Sequence, residues 1–422
     1  MSPLPPHLLP DHAAVEADGS LSIGGVRADE LAQRFGTPLF VYDEEHLRAR
    51  CREAVEAFGP GVAYASKAFT CRAMANLAHR EGMAIDVATG GELHVALQAG
   101  VPARNITLHG NNKSREELYD AMWAGVGRVV VDSFDEIDRI RKLVNQGMRA
   151  PKVMIRVTPG IEVHTFDEVQ TGQEDSKFGF GWHSGAAAEA VARVRSEGFE
   201  LVGLHMHIGS QVFRVDNFAH AVEMVAPLAR ELDLDEFCVG GGLGVAYVEG
   251  EEGPTISQWA RAVRQVCTDA GIGSRITAEP GRSIVAQAAV TLYTVGTLKE
   301  IPGVRTYVAV DGGMSDNPRP VLYGSGYEAF LPRAVRADRT RTVTVVGKHC
   351  ESGDQLVRDA SVPADLAVGD LLATPVTGAY GYALGSNYNQ VPRPAVVFVA
   401  NGRARVVLRR ETMADLMRLD VM

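Results

Sequence analysis

No Cys-x-x-Cys pair occurs in this chain, and its five cysteines, Cys51, Cys71, Cys238, Cys267 and Cys350, are odd in number and far apart. That pattern excludes a cysteine-rich zinc site and fits a reducing compartment. No window approaches an apolar run long enough to span a bilayer. Residues 1–11, with four prolines and no Lys or Arg, lack the charged start and apolar core of a signal peptide. Positive charge is also scarce: the formal net charge of -10 argues against a nucleic-acid or anionic-membrane surface. Repeats of fixed period and low-complexity tracts are missing too. These absences together predict a globular cytoplasmic protein.

What is present has a strong pattern. With 422 residues, 46% hydrophobic and 22% charged, the chain can build one large domain and a smaller one. Residues 20–42 alternate and read as one or two strands, followed by a helix over about 44–58. Apolar strand-like runs then occur at 62–67, 84–88, 106–109, 128–132, 152–157, 201–208, 236–240 and 275–279. Helical periodicity fills most gaps, for example at 72–81, 91–99, 114–124, 134–146, 186–197 and 217–232. Eight strands alternating with helices predict an α/β fold, a closed (β/α)₈ barrel of the TIM type; an open doubly wound sheet is the alternative. After about residue 290 the helical pattern stops, and β-like runs at 289–298, 306–310, 341–346, 371–375, 395–399 and 404–408 predict an antiparallel β domain. The expected division is residues 1–42 as strands that join the β domain, 43–288 as the barrel and 289–422 as the β domain.

The reactive side chains favour the barrel. Lys67, Asp86, His109, Asp132, Arg156, His207, Gly240, Gly241, Gly242 and Glu279 all fall at or near the carboxyl ends of the eight runs, which form the catalytic face of such a barrel. Residues 62–66 are small or apolar, so Lys67 is expected beside a desolvated interior. There an amine loses charge and can form a Schiff base with a carbonyl. The plain alternative is a lysine that caps its strand and reaches solvent.

Other motifs carry chemistry of their own. Residues 240–244 match neither the G-x-G-x-x-G spacing nor a Walker loop, yet they offer backbone N–H groups after a strand, where an anion can sit. A carboxylate such as Glu279, followed by Gly281 and Arg282, could keep a pyridine nitrogen protonated; a Glu279–Arg282 salt bridge is the alternative. His205 and His207 share a strand face, so they could bind a metal, or one could stack on a flat ring while Ser210 holds a phosphate. Further on, residues 311–317 lead to Arg319 and Tyr323, groups suited to a carboxylate. Cys350 lies between His349 and Glu351, either as a buried structural thiol or as an acid/base beside a carboxylate that can hold an ammonium. The Tyr380 phenol could reach a phosphate or a carboxylate.

Taken together and in this order, these motifs resemble the diaminopimelate decarboxylase family, within the barrel-type pyridoxal-phosphate decarboxylases (fold type III) that include ornithine and arginine decarboxylases. The resemblance covers about residues 20–420 and implies decarboxylation of meso-2,6-diaminopimelate to L-lysine, as the last step of lysine biosynthesis, with pyridoxal 5'-phosphate as cofactor. It implies that Lys67 holds the cofactor, His207 stacks on its ring and Glu279 pairs with the pyridine nitrogen. Asp86, Ser210, Gly240, Gly241, Gly242, Gly281, Arg282 and Tyr380 would complete the cofactor site. Arg282, Arg319, Tyr323 and Tyr380 would bind substrate, Glu351 its distal ammonium, and Cys350 would deliver the proton. It further implies a homodimer with shared active sites.

Two departures stand out: Ala68-Phe69 replaces a frequent Ala-Asn after the lysine, and Ser66 replaces a frequent valine. Other readings are decarboxylation of ornithine, lysine, arginine or carboxynorspermidine, a metal-dependent hydrolase using His205 and His207, and a non-catalytic pyridoxal-phosphate carrier.

Overall fold

Short β-branched runs such as Arg128–Val131 and Lys152–Thr158, covered on both faces, give this chain its central parallel sheet. The structure is a computed structural model that describes residues 3–160 and 175–421; part of the expected 43–288 barrel segment therefore lies outside the described residues. The chain forms two compact units. One comprises Met1–Ala49, Val245–Glu252 and Ile284–Met422, the other Arg50–Gly244 and Gly253–Ser283.

The second unit is built on eight strands: β1 (Ala63–Ala65), β2 (Ala84–Val87), β3 (Ile106–Leu108), β4 (Arg128–Val131), β5 (Lys152–Thr158), β6 (Glu200–Met206), β7 (Glu236–Cys238) and β8 (Arg275–Thr277). Each is parallel to the next in chain order. The sheet closes where Ala63 N–H donates to Ala278 O at 2.9 Å and Ala65 N–H to Pro280 O at 3.2 Å. This is the (β/α)₈ barrel and not the open sheet. Helices at Arg72–Arg80, Gly90–Gln98, Arg115–Ala124, Phe134–Asn145, Ala186–Ser196, Val215–Leu232 and Ile256–Asp269 alternate with the strands. Ser114 and Thr255 start two of them with reciprocal capping boxes. Val130, Met154, Val202 and Cys238, from four neighbouring strands, meet in one buried cluster.

The other unit holds a mainly antiparallel sheet of eight strands. Its centre is the long strand Ala289–Ile301, which pairs antiparallel with Arg305–Val310, Leu371–Pro375 and Leu39–Asp43. Two pairs are parallel: Arg305–Val310 with Arg341–Val346, and Leu39–Asp43 with Ala395–Ala400. The strand Gln355–Val362 was not legible in the sequence, because its alternation breaks at Asp359, where φ is +49° and two exposed residues adjoin. Residues 20–42 also differ from expectation. They contain Leu21–Ile23 and Val26–Arg27, a helix at Ala28–Phe35, and then Leu39–Asp43. Asp29 and Glu30 in the helix's first turn, and Gly36 at φ +70° after its end, are ordinary helix signals that the alternation around them obscured. Among the described residues no helix is long and apolar enough to cross a membrane.

Candidate active site

The carboxyl ends of the barrel strands gather charge that apolar strands alone would exclude. Asp86, His109, Asp132, Arg156, His205 and Glu279 are all buried there, and burying such groups requires partners. Glu279, just past β8, is held on both oxygens. His109 Nε2 lies 2.9 Å from Oε1, and His205 Nε2 lies 2.9 Å from Oε2. Burial alone pushes the Glu279 carboxyl up, but the charges of His109 and His205, with the hydrogen bond to His205, outweigh it and leave it well below the usual carboxylate range. The alternative salt bridge to Arg282 is not formed, since Arg282 Nη2 donates instead to Ser210 Oγ at 2.6 Å.

Asp86 lies 3.7 Å from His109 Nε2. Burial pushes its carboxyl up to about 7, against the His109 charge and with that of Glu279. Arg156 stacks its guanidinium 4.3 Å from the Phe178 ring centroid and lies 3.6 Å from Asp132. Burial lowers its pKa, with Asp132 opposing.

His207 follows β6. Gly241 N–H donates to its Nδ1 at 3.2 Å, so the ring hydrogen belongs on Nε2. Burial, followed by the nearby charges of Lys67, Arg156 and His205, holds the His207 pKa well below the usual histidine value. A neutral ring of that kind suits stacking. His207 does not join His205 in a grouping of the described residues that could hold a metal. Among the described residues, the grouping close enough to share a metal ion is His109, His205 and Glu279, whose polar atoms are already engaged with one another.

The glycines leave no room for side chains. A Cβ at Gly240 would lie 2.4 Å from Met206 O, one at Gly241 2.3 Å from Glu279 O, and one at Gly242 2.2 Å from Gly209 O; Gly240 and Gly242 also have φ of +68° and +107°. Gly281 is packed against the lysine-bearing segment, where a Cβ would lie 3.0 Å from Ala65 O.

Lys67 departs from expectation. The strand ends at Ala65, and Lys67 stands in a 3₁₀ turn, Ser66–Ala68, with its side chain exposed. The turn lifts the side chain clear of the apolar strand, so the amine is not in the desolvated interior expected for it. The Phe69 departure is structural: the ring is fully buried, and its carbonyl accepts the Tyr64 hydroxyl at 2.7 Å.

The remaining expected residues lie in the other unit. Arg319 is buried, with its guanidinium carbon 4.1 Å from the Tyr247 ring centroid and its Nη1 donating to Tyr327 Oη at 2.5 Å. Tyr323 ends the same short helix, half-buried. Cys350 is exposed, which rules out the buried structural thiol, and its N–H donates to Asn389 Oδ1 at 2.9 Å. His349 is turned to Asp354, Nδ1 to Oδ2 at 2.8 Å, so its bonded nitrogen does not serve the thiol. Glu351 is exposed, and Tyr380 is half-buried at φ +58°. The sequence reading missed Tyr247 and Tyr327, for which no motif gave a signal. It also missed any role for His205 toward Glu279.

The donor set of the barrel unit fits pyridoxal phosphate. An exposed amine, a buried anionic carboxylate, a neutral imidazole and a guanidinium–hydroxyl pair stand around a glycine turn that side chains would fill. A family model described as "Pyridoxal-dependent decarboxylase, pyridoxal binding domain" matches residues 44–286. The diaminopimelate decarboxylase of Bacillus subtilis (strain 168) is 47% identical over 420 residues, covering 96% of this chain and 95% of its own. That of Mycobacterium tuberculosis (strain ATCC 25618 / H37Rv) is 46% identical over 441 residues, covering 99% and 98%. The crystal structure of the M. jannaschii diaminopimelate decarboxylase in complex with L-lysine superposes with a TM-score of 0.90 at 32% identity, covering 98% of each chain. The chain belongs to the diaminopimelate decarboxylase family of pyridoxal-dependent decarboxylases.

Proposed function

We propose that this protein is a carboxy-lyase that decarboxylates meso-2,6-diaminopimelate to L-lysine and CO₂, closing lysine biosynthesis, with pyridoxal phosphate as its cofactor. The observation that carries the reading is Glu279, a buried carboxylate kept anionic at the mouth of the barrel. Pyridoxal phosphate, when bound, supplies an electron sink for the charge left by departing CO₂.

The chain's own residues do the rest. Lys67 offers an accessible amine for covalent attachment. Glu279 is suited to keep a pyridine nitrogen protonated. His207, neutral and tied at Nδ1 by Gly241, presents a flat face for stacking. Ser210 and Arg282, hydrogen-bonded to each other, offer a hydroxyl and a cation to a phosphate, and the close-packed backbone at Gly240, Gly241, Gly242 and Gly281 offers it N–H groups that side chains would displace. Asp86 beside His109 adds a second ionisable carboxyl, and Tyr380 adds a phenol.

On the substrate side, Arg319 and Tyr323, with Arg282, bind the distal carboxylate, and Glu351 binds the distal ammonium. Cys350 delivers the proton that replaces the lost carboxylate. The protein works as a cytoplasmic homodimer with shared active sites. Purified protein loaded with pyridoxal phosphate tests the reading. A visible absorbance band that shifts on adding meso-diaminopimelate, with release of CO₂ and lysine, is the expected result. A band without CO₂ would redirect the search to ornithine, lysine, arginine and carboxynorspermidine.

A further inference from the structure

His109 and His205 reach Glu279 from two different strands, the first just after β3 and the second within β6. Each places its Nε2 2.9 Å from a different carboxylate oxygen. Their rings meet edge to face, with centroids 4.9 Å apart and planes at 64°. Among the described residues His205 Nδ1 is buried without a hydrogen-bond partner, so the hydrogen bond of this ring is the one to Glu279; His109 Nε2, although 2.9 Å from Oε1, is a close polar contact whose angle falls short of a hydrogen bond. A pair that merely filled the barrel mouth would not have to converge on both oxygens of one carboxylate, since apolar rings fill such space without leaving a buried nitrogen unpartnered.

From this geometry we propose that His109 and His205 act together as positioning residues that hold Glu279 as an oriented carboxylate for the cofactor's pyridine nitrogen. The inference rests on the functional reading above. It adds that the carboxylate is not anionic by its own nature, because burial alone would drive it to the neutral acid, and the two imidazoles prevent this. The other ionisable groups acting on Glu279 or on its partners are Asp86, Arg156, His207 and Cys238, with Lys67 acting on Asp86. Of these, Asp86 also feels the charge of His109 and His207 that of His205, so each Phe variant is compared with the Gln variant at the same position, which loses the same charge.

Removing a histidine raises the Glu279 pKa, so Glu279 binds a proton as pH falls and the pyridine nitrogen loses its anionic partner. The penalty on cofactor binding therefore grows toward low pH and shrinks toward high pH. Glutamine keeps an N–H donor at about the reach of Nε2, and phenylalanine keeps ring bulk without a donor.

The test is a titration of cofactor-free protein with pyridoxal phosphate, followed by absorbance and protein fluorescence over a pH series and without substrate. For His109→Phe and His205→Phe, the Kd relative to wild type is expected to rise at least about tenfold toward low pH, equal to roughly one pKa unit of lost interaction, and to fall back as pH increases. His109→Gln and His205→Gln, which keep the donor and lose the charge, are expected to fall between wild type and the Phe variants. A penalty that is independent of pH, or equal for Gln and Phe, overturns the proposal in favour of packing. Thermal unfolding of the cofactor-free variants identifies any that fail to fold. His109→Asn, a smaller residue too short to reach Glu279, then replaces the Phe variant and is expected to show the same pH-dependent penalty. A wild-type protein that takes up no pyridoxal phosphate overturns the functional reading itself, a result separate from a pH-independent ratio.

Discussion

Tyr247 lies with its ring centroid 4.1 Å from the guanidinium carbon of Arg319, and Tyr327 accepts a hydrogen bond from the same guanidinium. Arg319 is thereby fixed in one orientation before any substrate arrives. Cation–π contacts of this kind contribute about 1 to 2 kcal/mol when desolvated. Replacing Tyr247 with Leu is expected to raise KM for diaminopimelate roughly five- to thirty-fold, with a smaller change in kcat, because the substrate must then order the arginine itself. Steady-state kinetics of the variant check this, and an unchanged KM would separate Tyr247 from substrate binding.

Cys350 is exposed, whereas Cys51, Cys71, Cys238 and Cys267 are buried. Burial also pushes the Cys238 thiol up and that of Cys267 up to about 12, which suppresses their thiolates. A thiol reagent is therefore expected to modify the folded protein once, at Cys350, with loss of activity in step. Mass spectrometry of the labelled protein identifies the site. Cys350→Ala is expected to resist labelling and to lose at least about tenfold in kcat, in the range of a missing general acid. Turnover of that variant at wild-type rate would remove the thiol from the reaction.

Lys113 and Glu136 form a fully buried ion pair at 2.8 Å in the barrel unit, and Lys113 Nζ also donates to Gly110 O and Val130 O. Burial raises the Glu136 carboxyl, while Lys113 opposes that shift. Lys113→Met leaves the carboxylate without its cation and is expected to cost about 3 to 5 kcal/mol, read as a lower urea midpoint. The double variant with Glu136→Leu is expected to recover much of the loss. A double variant as unstable as the single one would show that the backbone contacts of Lys113, and not the charge pair, dominate.

In the β unit, Asp316 accepts from Tyr293 Oη at 2.6 Å and from Gly313 N–H at 3.0 Å. Burial pushes its carboxyl from 3.8 up to about 7 in spite of these bonds. A folded-state pKa above the unfolded one gives stability that is complete below the unfolded value and is lost as pH rises through the folded value. Stability relative to Asp316→Asn is thus expected to decline between about 4 and 7. Chemical denaturation of both proteins across that interval checks the sign. A difference that does not change with pH would mean that Asp316 is charged in the folded protein throughout.

The glycine turn gives a further expectation. Gly242→Ala introduces a Cβ 2.2 Å from Gly209 O at a φ of +107°. Neither the backbone oxygen nor the dihedral can give way cheaply. Pyridoxal phosphate affinity is expected to fall by more than about tenfold, with a strain of roughly 1 to 3 kcal/mol visible in the melting temperature. Wild-type cofactor affinity in this variant would place the phosphate elsewhere.

Much of the fold can be read from local pattern. The helix expected at 44–58 is found at Glu44–Phe58, and the strands expected at 341–346 and 371–375 are found at Arg341–Val346 and Leu371–Pro375. In these segments the residues that favour an element also form its buried face, so propensity and packing agree. They disagree at Gln355–Val362, where a backbone irregularity at Asp359 breaks the period, and at Ala28–Phe35, where a short helix lies between strands. That Asp86, His109, Asp132, Arg156 and Glu279 gather at the carboxyl ends of the barrel strands was legible because strand ends are local features. Tyr247 and Tyr327 were not, since an arginine's aromatic neighbours leave no spacing in the sequence.

The sequence by itself determined that eight apolar runs alternate with amphipathic helices, that reactive groups stand at or near the carboxyl end of each run, and that a glycine run follows the seventh. Those properties depend on neighbours a few residues away. Only the tertiary structure decided that Lys67 is exposed in a turn, that Arg282 pairs with Ser210 and not with Glu279, and that both oxygens of Glu279 face histidines. Such choices arise when barrel closure brings the ends of distant strands within a few ångströms. At that range hydrogen bonds and burial, not residue type, set which carboxylates carry charge.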